Sequence, residues 1–393
     1  MKKIIFLFVL IVFAAAAADA TAAQIPLTAG NVSGKGFTRI DFCAADGLLY
    51  AFNGLDLYSY SVLSDSFTVA FAGAGSVIND TWDPADFAFE SDCNNAVLPT
   101  GRSAKVVYID RQSEQAAEKS GLRRNYFSTA SRYRDNQLFA NGVDTVFNNT
   151  IYLLDTDSNG AETKVVEISK KNSGAITFDF ADNLYLADFK PIFDGNGLGQ
   201  VDIYRIPRGQ IDDFIEDSNF TVVPELIVNN AVLAGSDSIV VDANYDIYVG
   251  SYSGIAKISP TNEPNIFSIS AVDGNIYANP LIVPGPHFRF CGITADIKTG
   301  KIYYGKSELN EQTYQYGLYI LQSILVSAAA NWSADLDGDG IVDFYDLYLL
   351  TEDYLYSGQY LKGDLDDDDS VNFQDFVIFA RQWQDKSPWY KGD

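Results

Sequence analysis

Six times between residues 39 and 305 the chain repeats one short pattern: an apolar strand, a polar turn, and a second strand carrying an aliphatic–aromatic pair. The instances are RIDFCAADGLLYAF (39–52), FAFESDCNNAVL (87–98), YRDNQLFAN (133–141), ITFDFADNLYLADF (176–189), SIVVDANYDIYVGSY (238–252) and FRFCGITADIKTGKIYYG (288–305). Equivalent points fall at Leu49, Val97, Leu138, Leu184, Ile247 and Ile302, with the widest interval between Leu184 and Ile247. Later strands of similar character, such as LDLYSYSV, TIYLLDTD and QVDIYRIP, complete several units. A unit of about fifty residues holds four strands with their turns, and units that cannot bury both faces alone must stack on their neighbours. The expected fold is mostly β: a six-bladed β-propeller over residues 24–326, with a β-sandwich pair or a β-helix as the competing arrangements. The 24 Tyr and 26 Phe agree with strands rather than helices.

The segments ITFDFADNLYLADF and SIVVDANYDIYVGSY resemble the repeats of NHL-type and gluconolactonase-like propellers, over single strands and turns only. Gluconolactonase-like propellers hold a metal in the central channel through Glu, Asn and Asp. Glu225, Asn229, Asn230, Asp242 and Asp182 lie in or near suitable strands, though spacing singles out no pair. A hydrolase triad or a histidine–zinc site needs histidine, and the chain has only His287, beside prolines. GxSxG, HExxH, CxxC and phosphate-cradling loops are absent. The expectation is therefore no enzyme and no catalytic residue, the alternative being a carboxylate- or metal-dependent hydrolase or lyase.

The N-terminus, MKKIIFLFVLIVFAAAAADATAAQIP, places Lys2 and Lys3 before an apolar run and then small residues. That order predicts a secretory signal peptide over residues 1–23, cleaved after Ala20 or Ala23, with no membrane span thereafter. The protein is expected outside the cell or at its surface. There Cys43, Cys93 and Cys291 can oxidise, and all three pairings are open; a ring-closing Cys43–Cys291 bridge is conceivable because the two occupy similar places in the first and last units. Five Asn-x-Ser/Thr sequons, at Asn31, Asn79, Asn148, Asn219 and Asn331, match glycan acceptors. A net charge of −25 argues against nucleic acid and anionic membranes as partners.

The charge is concentrated. Residues 334–376 hold thirteen Asp and Glu against Lys362 alone, and like charges at that density oppose compaction unless a cation neutralises them. DLDGDGIVDFYD (335–346) and DLDDDDSVNFQD (364–375) align position for position, with oxygen-bearing side chains at positions 1, 3, 5, 9 and 12 of both. Ca²⁺ takes six to eight hard oxygens, and a looped backbone turns alternate side chains inward. The expected ligands of the first ion are Asp335, Asp337, Asp339, the Ile341 carbonyl, Asp343 and Asp346. Those of the second are Asp364, Asp366, Asp368, the Ser370 carbonyl, Asn372 and Asp375. Position 6 needs a positive φ, which Gly340 adopts easily and Asp369 less so, so the second site is expected to be the weaker. Leu347, Leu350, Thr351 and Tyr354, and Phe376, Phe379, Ala380 and Trp383, fall on helical faces behind the loops. Val342 and Val371 suit a short strand contact pairing the two loops. DTDSNG (155–160) starts like a further Ca²⁺ loop but has Val166 where the last carboxylate belongs, and reads as a turn.

A loop followed by one helix, twice, over residues 334–385, resembles the dockerin type I module with its EF-hand-like loops. The resemblance implies two Ca²⁺ ions, Ca²⁺-dependent folding, and attachment to a cohesin domain. Cellulosomal dockerins carry small hydroxyl residues at loop positions 10 and 11; this chain has Phe344–Tyr345 and Phe373–Gln374, a more aromatic partner-binding surface. Residues 327–333 read as a linker and 386–393 as a tail, with Trp389 and Tyr390 suited to a contact. The function expected is a secreted Ca²⁺-binding structural or interaction protein, with the propeller as scaffold. The module would attach to a cohesin-like protein or to another copy of the chain, building a fibre or surface layer. The alternative is an extracellular carbohydrate- or lactone-active enzyme delivered to polysaccharide by the module.

Overall fold

In the computed structural model the described residues are 23–26 and most of 39–386. The stretches 79–85, 278–287, 311–314 and 326–333, and shorter loop positions, lie outside them. The expected signal segment before Ala23, His287, the sequons at Asn31, Asn79 and Asn331, the linker, Trp389 and Tyr390 are therefore not described.

Among the described residues the strands form six four-stranded antiparallel sheets. Five are built from consecutive strands, beginning at Arg39–Cys43, Ala88–Phe89, Asn125–Ser131, Ile176–Phe178 and Ser238–Val241. The sixth pairs Phe288–Asp296, Lys301–Asn310 and Gln315–Leu325 with Ala23–Pro26, so the N-terminal strand closes the last sheet. Side chains of this sheet are described only at 292–295 and 302–305. First strands of successive sheets touch, including the last with the first. The molecule is mostly β and propeller-like.

Burial explains why the strands read as apolar runs rather than clean alternations. Inner strands are covered on both faces, so Ala96, Val97 and Leu98 are all inaccessible, as are Ile247, Tyr248 and Val249. The core is a series of layers between adjacent sheets: Tyr50, Phe52, Phe89 and Leu98 between the first two, Phe139, Phe178, Leu184 and Ile206 between the third and fourth. The longest repeat spacing has a simple cause. Helix α2 (Arg208–Glu216), which follows the short α1 (Ala74–Ile78), is inserted between the last two strands of the fourth sheet and buries Ile211 and Phe214 in that layer.

Cys43 is bonded to Cys93, with Cα atoms 5.9 Å apart. The bridge links the first two sheets and replaces the ring-closing pair conceived from sequence. A turn, not a strand position, brings the second thiol within reach: Cys93 has φ 59° ahead of the strand Asn95–Pro99. Closing a loop of 50 residues contributes about 4 kcal/mol in the chain-entropy account. DTDSNG is a hairpin turn closed by Gly160 N–H to the Asp157 carbonyl. Among the described residues no helix is long and apolar enough to cross a membrane.

The acidic segment carries α3 (Phe344–Glu352) and α4 (Phe373–Arg381), packed around Leu336, Val342, Leu350, Leu365, Val371 and Phe379. The expected helical faces are corrected in part. Leu347, Leu350, Phe379 and Trp383 do join this core, together with Leu349 and Ile378, but Thr351, Tyr354, Phe376 and Ala380 are exposed. The expected contact between Val342 and Val371 is also corrected. Val342 exchanges backbone hydrogen bonds with Gln384 and Asp385 beyond α4, and Val371 with Leu355 and Tyr356 beyond α3. Without an entering helix before each loop, the chain leaving the opposite helix covers that edge. Leu355 and Gln384, both at positive φ, stand at equivalent points of the two halves, so the duplication continues past the helices.

Candidate metal centre

Each acidic loop is organised before any cation is considered. Asp346 closes the first by accepting from the backbone N–H of Leu336 at 2.6 Å and Asp337 at 3.2 Å, and Asp375 closes the second through Leu365 and Asp366 at 2.6 and 3.3 Å. The same two carboxylates accept from the N-caps Asp343 and Asn372, whose side chains accept from Tyr345 and Gln374 N–H. These are capping boxes, so positions 9 and 12 serve as helix caps as well as expected ligands. Asp335 accepts from Gly340 N–H and Asp364 from Asp369 N–H, folding position 6 back over position 1. Gly340 has φ 95° and Asp369 φ 62°, both in the left-handed region the spacing requires.

The arrangement brings carboxylate oxygens of Asp335, Asp337 and Asp346 within 4.8 Å of one another, and likewise those of Asp364, Asp366 and Asp375. Asp339 and Asp368, at position 5 of each loop, accept from Ile341 and Ser370 N–H, and the Asn372 amide lies 3.4 Å from Asp368. The donor set is oxygen only and anionic, which fits a hard cation such as Ca²⁺. Its cost without one is visible in proton affinities. Burial raises Asp335 well above the ordinary carboxylate range, reinforced by Asp346, Asp337 and Asp339, and raises Asp346 to about 7. Burial likewise raises Asp337, Asp339 and Asp366. In the second loop Asp366 Oδ1 is buried and makes no hydrogen bond, an inward-turned oxygen of the kind a cation satisfies. Ca²⁺ would supply positive charge and lone-pair acceptance at these clusters, holding each loop on its helix.

The expected partner-binding side chains lie on the surface of the same unit. Phe344, Tyr345 and Phe373 are 75%, 58% and 66% exposed, and Gln374 is exposed beside them. Tyr345 stacks on Tyr348, and Phe373 on Phe376, with ring centroids 6.1 Å apart in both pairs.

The ring carries a second constellation, at its axis. A cavity of about 100 Å³ is lined by all six first strands and their flanks, among them Asp41, Asp86, Ser128, Thr129, Thr177 and Thr294. Asp41 accepts from Thr294 Oγ1 and Phe42 N–H at 2.9 Å, and Asp86 from Ser128 Oγ and Thr129 N–H at 2.9 Å. First strands of different sheets share no ladder, so these side chains staple one sheet to the next. Burial raises Asp41 to about 7, with the charge of Asp86 adding to it, and raises Asp86 against the pull of Arg39. The residues favoured from sequence do not converge here. Glu225 pairs with Arg205 at 2.9 Å, Asn229 and Asn230 lie on the outer strand Glu225–Leu233, Asp242 accepts from Asp246 N–H in a turn, and Asp182 sits 3.8 Å from Arg132. The signal that was available is a polar residue interrupting an apolar first strand, as Asp41 does in RIDFC.

No family model matches the chain, and no curated protein matches it in sequence. Solved structures match in fold. A gluconolactonase from Xanthomonas campestris is 10% identical with a TM-score of 0.50, over 79% of this chain and 91% of its own. Regucalcin from Agrobacterium tumefaciens, a calcium-binding protein, is 14% identical with a TM-score of 0.44, over 76% and 93%. Hydrazine synthase of Kuenenia stuttgartiensis is 10% identical with a TM-score of 0.47, over 77% and 98%. At these identities the likeness is one of fold. It nevertheless corrects the expectation of no enzyme, which rested on missing motifs: a protein named as a gluconolactonase is built on this architecture.

Proposed function

We propose that the chain is an exported Ca²⁺-binding protein in which residues 334–385 form a dockerin-like attachment module with two ions, joined to a propeller of six blades. One observation carries the reading: two carboxylate triads, at the same positions of the two duplicated loops, converge with matching backbone hydrogen bonds and matching helix caps. A solvated acidic tail would have no reason to repeat its bonding at a fixed offset. The partner is a cohesin-like protein or a second copy of the chain, held through Phe344, Tyr345, Phe373 and Gln374, whose exposed apolar surface supports a docking role. In the second case the contact can propagate into a fibre or surface layer. Export is supported by the Lys2–Lys3 apolar N-terminus and by the Cys43–Cys93 bridge. Sedimentation and electron microscopy of the full chain in Ca²⁺ and in EDTA test the reading. Association that requires Ca²⁺ supports it, and identical behaviour in both counts against it.

The axial cavity favours a second activity for the ring. Asp41, raised to about 7 by burial, and Asp86, also raised by burial, form a carboxylate pair suited to acid–base work on a small lactone or sugar. Screening lactones and glycosides with the wild type and Asp41→Asn tests it; turnover lost in the variant supports the role, and turnover equal in both removes it.

A further inference from the structure

The first acidic loop is seated on the ring. Helix α2 begins at Pro207 with no side-chain cap, and its first turn is capped instead from the C-terminal unit: Gly209 N–H donates to the Asp337 carbonyl at 2.9 Å. The fit is close enough to require glycine, because a Cβ on Gly209 would stand 2.8 Å from that carbonyl oxygen. Beside the contact lie two arginines whose side chains are 1% and 2% exposed. Arg205 is held by Glu225, yet its Nη1 makes no hydrogen bond. Arg208 reaches Asp212 at 3.5 Å, and none of its three guanidinium nitrogens makes a hydrogen bond. Burying such groups without full satisfaction is costly unless a neighbouring field compensates. Part of that field comes from the loop, where Arg205 acts on Asp335 and Asp339 and Arg208 on Asp337, while the groups acting most on Arg205 itself are Tyr185, Glu225 and Asp179 of the ring. The charges acting on Asp366 in the second loop are carboxylates, Asp375 and Asp368.

We propose that the ring is itself the docking partner of loop 335–346, held by Gly209, Arg205 and Arg208, and that a Ca²⁺ ion entering this loop weakens the docking. The inference rests on the reading that the loops hold Ca²⁺. A dication placed in the loop offsets two of its five carboxylate charges and so weakens the negative field at the buried arginines, and occupancy and docking oppose each other. By linkage the effect is reciprocal: docking lowers the Ca²⁺ affinity of the first loop by the factor by which Ca²⁺ loosens docking. The two sites are therefore unequal, with the first the weaker, the reverse of the order expected from position 6, and filling it loosens its loop from the ring.

The test uses the full chain carrying Asp375→Asn, which leaves the first loop as the Ca²⁺ site to be read. Calorimetric Ca²⁺ titration is compared for Arg208, Arg208→Lys and Arg208→Met. Removing one unit charge close to a dication is expected to tighten binding by about tenfold, while lysine leaves it near the arginine value. In parallel, hydrogen exchange at the Gly209 amide of the wild type, which needs no substitution, is expected to be slow in EDTA and faster in saturating Ca²⁺. Unchanged affinity in Arg208→Met with Gly209 exchange indifferent to Ca²⁺ overturns the proposal while the Ca²⁺ reading stands. Absence of Ca²⁺ uptake by either loop overturns it through its premise.

Discussion

The two acidic loops share closing hydrogen bonds and helix caps, yet buried arginines of the ring act on the first, whereas Asp366 of the second is acted on by that loop's own carboxylates. A motif of this kind encodes its own shape and leaves its electrostatics to its surroundings. Loop geometry is local: an aspartate at position 12 gathers its own loop and caps its own helix. Electrostatic setting is not local, since Arg205 and Arg208 belong to the fourth sheet and its inserted helix, far up the chain from the aspartates they face.

The largest expected effect breaks the loops one at a time. Asp346→Asn and Asp375→Asn each remove a negative charge and one of the two acceptor oxygens that close the loop and cap its helix, and each should lower the Ca²⁺ count from two to one, read by calorimetry. Next come the side chains both loops share. Leu350→Ala and Phe379→Ala hollow one common core, each costing about 3 kcal/mol in thermal unfolding of the C-terminal unit, and each should weaken both sites rather than its own. A smaller effect distinguishes the loops at position 6. Gly340→Ala forces a β-carbon into the left-handed region and should cost about 1 kcal/mol, whereas Asp369→Gly should gain a few tenths to about 1 kcal/mol, both read as shifts in melting temperature at fixed Ca²⁺.

A dependence on pH sets the loops against the ring. Asp41 has a folded-state pKa of about 7 above an ordinary 3.8, so the folded ring binds the proton more tightly than the unfolded chain. Its stability contribution is full below about 4 and is lost as pH rises through about 7. Saturated with Ca²⁺, the loops should show the opposite trend, because cation binding needs their carboxylates ionised. Melts from pH 4 to 8, in chelator and in saturating Ca²⁺, should therefore show the ring declining with pH in both, and Asp41→Asn should flatten that decline.

What the sequence made legible follows the same division. Strand pairs such as Leu49–Tyr50 and Ile247–Tyr248 announce buried β structure because both sheet faces are covered, and alternate aspartates announce inward-facing oxygens. Closure of the last sheet by Ala23–Pro26 and the Cys43–Cys93 pairing depend on distant segments meeting. The axial cluster was missed for that reason: the partners of Asp41 are Phe89 and Thr294, 48 and 253 residues away. The helical faces were misjudged at Thr351 and Ala380 because a 3.6-residue period locates a stripe but not which edge of it meets the core.

The central claim is that the duplicated loops are two Ca²⁺ sites in unequal settings. It is tested most directly by calorimetric titration of Ca²⁺ into the chelator-treated full chain at neutral pH. The account predicts two ions per chain in two resolved steps, the weaker abolished by Asp346→Asn and the tighter by Asp375→Asn. No uptake, or two equal sites insensitive to either substitution, would contradict it.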